Sequence, residues 1–304
     1  MINKIKIRLC EPGNEQAGRY FSLRLKQRLH NERSEYKNVR MIFVVSDIEG
    51  NFQAFRKLLV KNKVIDRNCK WTFGEGHLVI LGDCFDRGEQ VTECLWLIYS
   101  LEELARKDGG HVHFILGNHE IMNLNGDWRY VHPKYAEKQP FSRNPPAALY
   151  YGNAELWKWL QTKNIIEKID DILFVHGGIA NEMLALKLSV TEINDLARPY
   201  YHAAEKIFSD PPLYYIFNSE LSPFWYRGYY QQAINEELVD ATLAHFKVNT
   251  IITGHTVVDH ITSFFNGKVI NVDTDHSVGN SEALLIKKNG YYRVDNEGNR
   301  TKIK

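Results

Sequence analysis

Short apolar runs alternate with amphipathic stretches in the first half of the chain. The runs Met41–Val45, His77–Leu81 and Val112–Leu116 have the length and composition of buried strands. Between them, residues 51–62 and 89–107 carry apolar side chains at helical spacing, which gives each helix one apolar face. This β-α-β-α-β order predicts an α/β sheet rather than separate blocks of strands and helices.

The regular alternation stops between about residues 122 and 228. Prolines interrupt the start of this segment, and tyrosine and tryptophan are frequent throughout it. Helices are predicted over 147–161 and 191–207, with the strand Ile172–Val175 between them. We therefore expect a partly helical cap inserted into one α/β domain that runs from residue 40 to residue 304.

The last quarter of the chain returns to strands. A predicted helix over 236–246 precedes a strand at Thr250–Thr253, and two Asn-Gly pairs mark turns further on. The later strands are predicted at 261–265, 268–272, 282–287 and 291–294. We expect them to form an antiparallel tail that provides the second sheet of a sandwich.

The first 39 residues are the least informative part of the chain. Ile5, Ile7 and Leu9 alternate with charged residues, which is typical of a half-exposed strand. The apolar residues between Phe21 and Leu29 fit either a second strand or a short helix. Residues 1–39 are therefore interpreted as an N-terminal extension at the edge of the main domain.

Composition excludes several classes of function. The chain has 304 residues, of which 44% are hydrophobic and 25% charged, and its formal net charge is +1. A nearly neutral protein has no general attraction for nucleic acid or membrane surfaces, so neither is expected as a partner. No apolar run is long enough for a membrane-spanning helix. The oligomeric state does not follow from these features.

Cysteine usage and the first residues indicate a compartment. The four cysteines lack Cys-X-X-Cys spacing, and the first 30 residues lack the apolar core of a signal peptide. A chain of this length without an export signal usually keeps its thiols reduced. The cytoplasm is therefore the expected location.

Five strand ends carry oxygen or nitrogen donors beside glycine. In chain order, the donors are Asp47, Asp83, Asn118, His176 and His255. Divalent metal ions take carboxylate, amide and imidazole groups of this kind as ligands. Asp83 is the candidate to bridge two ions, because it lies between the other donors in sequence. Two ions about 3.5–4 Å apart hold a phosphoryl group and activate a water molecule.

A second group of polar residues accompanies these donors. His119 follows Asn118 directly, and its imidazole is expected to face the leaving oxygen as a general acid. Asp86 is placed to hold that imidazole in one tautomer. Arg87 and Arg227 suit bidentate contacts with phosphate, and Asn118 is expected to contact the substrate as well. Each residue alone has an ordinary structural explanation, so the prediction depends on their combination.

These motifs resemble the calcineurin-like metallophosphoesterase superfamily. Gly82–Gly88 has the pattern Gly-Asp-X-X-Asp-Arg-Gly, and Gly117–Glu120 reads Gly-Asn-His-Glu, as in phosphoprotein phosphatases. Residues 117–131 and Ser222–Gly228 are similar to the Shewanella-like phosphatase branch. The resemblance covers about residues 41–286 and implies a two-sheet β-sandwich flanked by helices.

The resemblance also implies where metal ions bind. One ion would be held by Asp47, residue 49 and Asp83. The second would be held by Asp83, Asn118, His176 and His255. The family pattern has histidine at position 49, whereas this chain has Glu49. Because the two side chains reach about equally far, Glu49 is expected to ligate the first ion, and an all-oxygen site favours Mn²⁺ or Mg²⁺ over Zn²⁺.

The expected protein is a phosphatase of the protein-phosphatase type that uses two divalent ions for in-line attack of water on a phosphomonoester. The ions are expected to be Mn²⁺, with Mg²⁺, iron or Zn²⁺ as alternatives, and the substrate a phosphorylated protein or a small phosphate ester. A nucleotide or dinucleoside polyphosphate hydrolase with the same site is the first alternative. The second is a phosphate-binding or scaffold protein impaired by Glu49, although such a protein needs no general acid such as His119.

Overall fold

Two six-stranded sheets pack face to face in the protein, and helices cover their outer sides. The computed structural model describes residues 4–11, 14–137, 153–203, 209–218, 220–231 and 236–304. This architecture confirms the predicted fold class, a two-sheet sandwich flanked by helices in a mixed α/β chain.

Strands and helices follow one another along the described residues. The strands are β1 (Lys4–Glu11), β2 (Asn14–Arg24), β3 (Glu35–Tyr36), β4 (Met41–Val45), β5 (His77–Leu81), β6 (His111–Ile115), β7 (Ile166–Ile169), β8 (Ile172–Val175), β9 (Thr250–Thr253), β10 (Thr262–Phe264), β11 (Val269–Asn271), β12 (Glu282–Lys287), β13 (Gly290–Asp295) and β14 (Arg300–Lys302). The helices are α1 (Phe52–Lys61), α2 (Val91–Lys107), α3 (Asn118–Leu124), α4 (Pro133–Glu137), α5 (Glu155–Leu160), α6 (Asn181–Ala185), α7 (Val190–Ala197), α8 (Pro211–Phe217) and α9 (Glu236–Phe246).

The first sheet has the strand order β14-β13-β12-β4-β5-β6. Strands β4, β5 and β6 run parallel, whereas β12 pairs antiparallel with β4. Side chains of β4 alternate between its two faces, as strand geometry requires. Ile42 and Val44 join the core between the sheets, while Phe43 and Val45 join the core under the helices.

The second sheet has the order β10-β11-β9-β8-β7-β3. Strand β9 is parallel to both β8 and β11, so the centre of this sheet also points its carboxyl ends in one direction. Phe174, Ile252 and Ile270 of this sheet belong to the same buried cluster as Val44 and Val79 of the first sheet. This shared apolar layer holds the two sheets together.

The C-terminal strands do not form a sheet of their own, so that prediction is wrong. Strands β10 and β11 belong to the second sheet, whereas β12, β13 and β14 extend the first. Strand β12 lies beside β4, with Leu284 opposite Val44, and β11 is parallel to β9. Both sheets therefore combine strands from the two halves of the chain.

The segment predicted as a cap contains two strands of the core. Strands β7 and β8 lie within it and join the second sheet. Every residue of Ile172–Val175 is buried, which explains why this strand reads as one continuous apolar run. The first part of the helix predicted over 147–161 lies outside the described residues, and α5 is the part that the structure describes.

Capping residues and proline set the helix ends. The Asn51 side chain caps α1, and Ser189 caps α7. The helix predicted over 191–207 ends early within the described residues, since α7 stops at Ala197, and positions 204–207 of that prediction lie outside them. Pro199 follows, and it lacks the N–H that would continue an α-helix.

The N-terminal residues form a hairpin and one edge strand. Strands β1 and β2 pair antiparallel in a sheet of their own, so the stretch from Phe21 to Arg24 is a strand and not a helix. Phe21 and Leu23 pack into the core under the helices. Strand β3 pairs with β7, and the division of the chain at residue 40 stays a prediction. No helix of the described ranges has both the length and the apolarity needed to cross a lipid bilayer.

Candidate metal centre

The donors predicted from the sequence lie together at one edge of the sandwich. Asp47 follows β4, Asp83 follows β5, and Asn118 begins α3 just after β6. His176 and His255 follow β8 and β9 in the facing sheet. The carboxyl ends of parallel strands are where open α/β sheets bind their ligands. The two sheets therefore bring their donors to a common edge.

Asp83 is at the middle of the cluster. Its Oδ2 lies 3.1 Å from Nε2 of His176, and Oδ1 of Asn118 lies 3.0 Å from the same nitrogen. The Nδ1–H of His176 donates to the Leu81 carbonyl at 2.7 Å, which turns Nε2 toward Asp83. Donor atoms of Asp83, His176 and His255 all lie within 4.8 Å of one another.

The surroundings of His255 show that a cation fits in this donor cluster. Its Nε2 is buried and has no hydrogen-bond partner among the described residues. Burial and the neighbouring His176 lower the pKa of His255 to about 2, so its imidazole is neutral, which is the form that binds metals. A neutral, unpartnered nitrogen beside two further donors fits a divalent cation.

The ionisable groups of the cluster shift one another's pKa. Burial alone would lower the pKa of His176, but Asp83 and Asp47 raise it to about 10. Burial likewise opposes ionisation of Asp83, yet His176 and His119 hold the pKa of Asp83 below its ordinary range. Burial and the charge of Asp83 raise the pKa of Asp47 to about 6, against the effect of His176. A buried carboxylate whose pKa is raised by a neighbouring carboxylate, as that of Asp47 is by Asp83, is stabilised by a bound cation.

The backbone at the donors is strained. Asp47, Asp83 and His255 have φ angles of 51°, 52° and 64°. Residues other than glycine adopt this left-handed region at a cost of about 1–3 kcal/mol each, and such strain is concentrated at functional sites. Gly82 has a φ of 83°, and a Cβ there would lie 2.6 Å from Nδ1 of His176. Glycine at this position is what allows His176 to approach.

Glu49 lies at the rim of the cluster. Its backbone N–H donates to the Asp83 carbonyl at 2.9 Å, so the loops after β4 and β5 are tied together. The Glu49 carboxylate forms an ion pair with Arg87. Asp47 accepts hydrogen bonds from the Ser46 hydroxyl and from the His255 N–H, the latter at 3.1 Å. Asp47 therefore lies beside His255, whereas the Glu49 carboxylate contacts Arg87.

The predicted acid, His119, is buried next to the donors. Its Nδ1–H donates to Asp86 at 2.6 Å, and Asn123 donates to the second oxygen of Asp86 at 2.8 Å. Burial disfavours the charged imidazole, but Asp83 and Asp86 raise the pKa of His119 above its ordinary value. Its Nε2 lies 3.9 Å from Asp83 and therefore faces the cluster. The geometry matches that of a proton donor held in one tautomer.

The two predicted phosphate-binding arginines lie on different loops. Arg227 is exposed, and its Nη1 donates to the His255 carbonyl at 2.6 Å and to the Thr256 hydroxyl at 3.2 Å. The Trp225 ring contacts the His255 ring edge-on, with the centroids 5.5 Å apart. The Arg87 side chain is half-exposed, and it forms an ion pair with Glu49. Both guanidinium groups thus contact residues that are predicted to bind metal, namely His255 and Glu49.

A comparison with known protein families identifies the family of this chain. The calcineurin-like phosphoesterase family matches residues 41–259, which is more than two thirds of the chain. The chain belongs to the calcineurin-like phosphoesterase family. It is a metal-dependent phosphoesterase, and the donor cluster described above lies within the matched residues.

Three known proteins show which branch of the family is similar. The chain is 37% identical to a cold-active protein-tyrosine phosphatase of a psychrophilic Shewanella species, whose crystal structure matches 99% of this chain and 91% of that chain with a TM-score of 0.90. It is 32% identical to Shewanella-like protein phosphatase 1 of Plasmodium berghei, over 53% of this chain and 45% of that protein. It is 24% identical to Shewanella-like protein phosphatase 2 of Arabidopsis thaliana, over 83% and 75%. The predicted resemblance is confirmed.

Glu120 is a residue of this phosphoesterase whose importance the sequence analysis missed. Its buried carboxylate accepts the backbone N–H groups of Asp83, Cys84, Phe85 and Gly117 at 2.7–3.3 Å. It therefore ties the loop after β5 to the start of α3. Burial and the charge of Asp83 raise the pKa of Glu120 to about 7. The position of Glu120 in the Gly-Asn-His-Glu motif could have indicated its importance from the sequence.

Asp273 is the second missed residue. It is 2% exposed and follows β11 at the same edge of the second sheet. Burial and the charges of Asp47 and Asp83 raise its pKa well above the ordinary value, against the effect of His176. The sequence carried a signal, because Asp273 comes directly after a predicted strand in the same way as the other donors. The phosphoesterase site therefore has one more buried carboxyl group than was predicted.

Proposed function

We propose that the protein is a binuclear-metal phosphomonoesterase of the protein-phosphatase type. One observation carries the proposal: the strand-end donors and the His119–Asp86 pair lie at the same edge of the sandwich. The similar proteins named above are a protein-tyrosine phosphatase and two Shewanella-like protein phosphatases, which supports phosphorylated protein as the substrate.

The donor set divides between two ions. We assign Asp47, Glu49 and Asp83 to the first ion. We assign Asp83, Asn118, His176 and His255 to the second. Bound divalent ions supply Lewis acidity to the phosphoryl group and to the attacking water. Carboxylate-rich sites suit Mn²⁺ and Mg²⁺ better than Zn²⁺. We propose Mn²⁺, with Mg²⁺, iron and Zn²⁺ as alternatives.

The other residues of the chain handle the proton and the phosphate. His119 would donate the proton on its Nε2 to the leaving oxygen, while Asp86 stabilises the imidazolium through Nδ1. Arg227 and Arg87 would bind the nonbridging phosphate oxygens, because a guanidinium fork matches their spacing. Asn118 would orient the phosphate beside His119. Water then attacks phosphorus in line with the leaving oxygen.

A substrate panel with defined metals tests the proposal. The arms are peptides that carry phosphotyrosine, phosphoserine or phosphothreonine, a chromogenic phosphate monoester, nucleotides and dinucleoside polyphosphates. Turnover of monoesters, together with about two bound ions per chain by metal analysis, is the expected result. Exclusive turnover of dinucleoside polyphosphates would favour the nucleotide hydrolase, and phosphate binding without turnover would favour a scaffold protein.

The cellular location is a separate part of the proposal. Cys69, Cys84 and Cys94 are buried free cysteines, which supports a reducing compartment. We propose the cytoplasm. Fractionation of cells that express the protein tests this, and a pool confined to an oxidising compartment would contradict it.

A further inference from the structure

Tyr130 presents an aromatic ring beside the His119–Asp86 pair. Its ring centroid lies 5.4 Å from that of His119, and the two planes are inclined by 58°. The residue is 45% exposed, although His119 beside it is buried. The Tyr130 ring therefore contacts His119, and part of it is exposed to solvent.

Two arginines and the backbone hold this ring in place. The Arg87 N–H donates to the Tyr130 carbonyl at 2.9 Å. The guanidinium groups of Arg87 and Arg129 lie 5.9 and 5.7 Å from the ring centroid, within the range of cation–π attraction. Arg129 is itself fixed by Asp127, with contacts of 2.8 and 2.7 Å. The exposed ring is thus oriented before any substrate arrives.

The position of His119 shows which part of a substrate would meet this ring. His119 is assigned to protonate the leaving oxygen, so the group attached to that oxygen must extend past His119. Among the described residues, the ring of Tyr130 contacts His119 and is itself exposed to solvent. A leaving group that carries an aromatic ring can pack against Tyr130, whereas a serine or threonine side chain is too short and lacks a ring.

We propose that Tyr130 is a specificity-determining residue that binds the aromatic ring of the leaving group. The inference rests on the proposed function and extends it, since it names ring-bearing phosphomonoesters, phosphotyrosine among them, as the preferred class. Aromatic pairs favour offset or edge-on packing with centroids 4.5–7 Å apart. Because the contact exists before and during the reaction, it lowers KM and leaves kcat nearly unchanged.

The experiment separates ring binding from leaving-group chemistry. Three substrates are compared with the metal-supplemented protein: a phosphotyrosine peptide, the same peptide with phosphoserine, and benzyl phosphate. Benzyl phosphate has a ring but an alkyl leaving oxygen. Tyr130→Ala is expected to raise KM about 3- to 10-fold for the two ring-bearing substrates, the factor that an aromatic pair contributes. The phosphoserine peptide should change by less than about 2-fold, because it makes no ring contact.

Two control variants complete the design. Tyr130→Phe keeps the ring and should retain the low KM for both ring-bearing substrates. Tyr20→Ala removes another exposed tyrosine, which lies on the separate N-terminal hairpin, and should change none of the three reactions.

The contradicting outcomes are distinct. A fall in kcat with unchanged KM, larger for the two alkyl esters than for the phosphotyrosine peptide, would show that Tyr130 only positions His119 and would overturn the inference. An equal rise in KM for all three substrates would overturn it too, because it would show that the ring of the leaving group is not recognised. An unchanged KM for every substrate in Tyr130→Ala would overturn it as well. If the unaltered protein hydrolysed none of the three esters, the proposed function would fail, and this inference with it.

Discussion

Glu49 and Arg87 form an ion pair at the rim of the candidate metal centre. The Glu49 side chain is 7% exposed and the Arg87 side chain 48%. The related pattern has histidine at position 49, and a neutral imidazole would not need a cationic partner. We infer that Arg87 offsets the charge that Glu49 adds to the site. A carboxylate expected to bind metal and a guanidinium expected to bind phosphate are therefore linked.

The first prediction concerns competition between Arg87 and a metal ion for the Glu49 carboxylate. Arg87→Ala should free the carboxylate and tighten Mn²⁺ binding to the metal-free protein by about 2- to 5-fold, since a partly exposed pair contributes up to about 1 kcal/mol. Isothermal titration calorimetry measures this directly. Arg227→Ala is the matched control, because Arg227 contacts the His255 carbonyl and not Glu49. Equal tightening in both variants would point to a general loss of positive charge instead.

The second prediction concerns metal choice at position 49. Glu49→Ala should weaken the first ion's site, so that activity recovers only at high metal concentration. Glu49→His should improve the use of Zn²⁺ or iron relative to Mn²⁺, because imidazole suits those ions better than carboxylate does. Metal analysis and activity titrations with defined ions measure both effects. A fully active Glu49→Ala protein with unchanged metal demand would remove Glu49 from the ligand set.

The third prediction concerns His119. His119→Asn should lower the rate on alkyl phosphates by about 100-fold or more, which is the usual contribution of a general acid. Aryl phosphates should lose less, because their leaving oxygen needs less help from a proton. Steady-state kinetics on one alkyl and one aryl ester decides the matter. Asp86→Asn should show the same pattern with smaller losses, since Asp86 acts through His119. Equal losses on both esters would exclude the general-acid role.

The donor positions could be predicted because each follows a local signal. Asp47, Asp83 and His176 come directly or almost directly after an apolar run that is a strand in the structure. The direction of parallel strands then carries these residues to the same edge of a sheet. The pattern of apolar runs and of the polar residues that end them was therefore sufficient to anticipate that these donors lie together.

Features that depend on long-range pairing could not be predicted in this way. Nothing in the local pattern of β12 indicates that Leu284 lies opposite Val44, so β12, β13 and β14 were assigned to the wrong sheet. The Glu49–Arg87 pair joins two loops through side chains. The exposure of Tyr130 likewise depends on how the loop after α3 folds over the site. Such contacts are set by the tertiary structure, which the spacing of apolar residues does not contain.

The fourth prediction concerns Glu120. Glu120→Ala should leave four buried backbone N–H groups without their acceptor and lower the free energy of unfolding by about 3 kcal/mol or more. Urea denaturation of the metal-free protein measures the change. Glu103→Ala is the matched control, because Glu103 makes a surface ion pair with Lys107 and should cost less than about 1 kcal/mol. Similar losses in both variants would show that Glu120 does not hold the loop after β5.

The last prediction concerns three histidines at the opposite end of the first sheet. His77 and His111 begin β5 and β6, and His113 lies two residues further along β6. Nδ1 of His77 lies 2.8 Å from Nε2 of His113. The other ring nitrogen of His113, Nδ1, lies 2.6 Å from the Glu167 carboxylate. Burial, followed by the neighbouring His113 and His111, lowers the pKa of His77 to about 3, with Asp170 opposing. Burial and His113 lower the pKa of His111 to about 4, although Glu32 and Glu167 oppose this.

These shifts determine how stability depends on acidity. The unfolded chain takes up protons on His77 and His111 as the pH falls through about 6.5, while the folded protein does not until about pH 4 or below. The contribution of His77 and His111 to stability should therefore be complete above pH 6.5 and decrease from there toward pH 4. The His113–Glu167 pair adds little in this window: burial raises the pKa of Glu167 to about 8 and lowers that of His113 to about 3, so the folded pair keeps one proton.

A single substitution measures the contribution of His77. His77→Asn keeps a side-chain amide near His113 but removes the titrating imidazole, so the decrease in stability near pH 5 should become shallower by at most about 1.4 kcal/mol per pH unit. Urea denaturation of metal-free protein at several pH values gives this slope and avoids effects of metal loss in acid. His30→Asn, which replaces an exposed histidine, should reproduce the wild-type slope. A His77→Asn protein as acid-sensitive as the wild type would show that the folded protein already protonates His77 near pH 6.5, as the unfolded chain does.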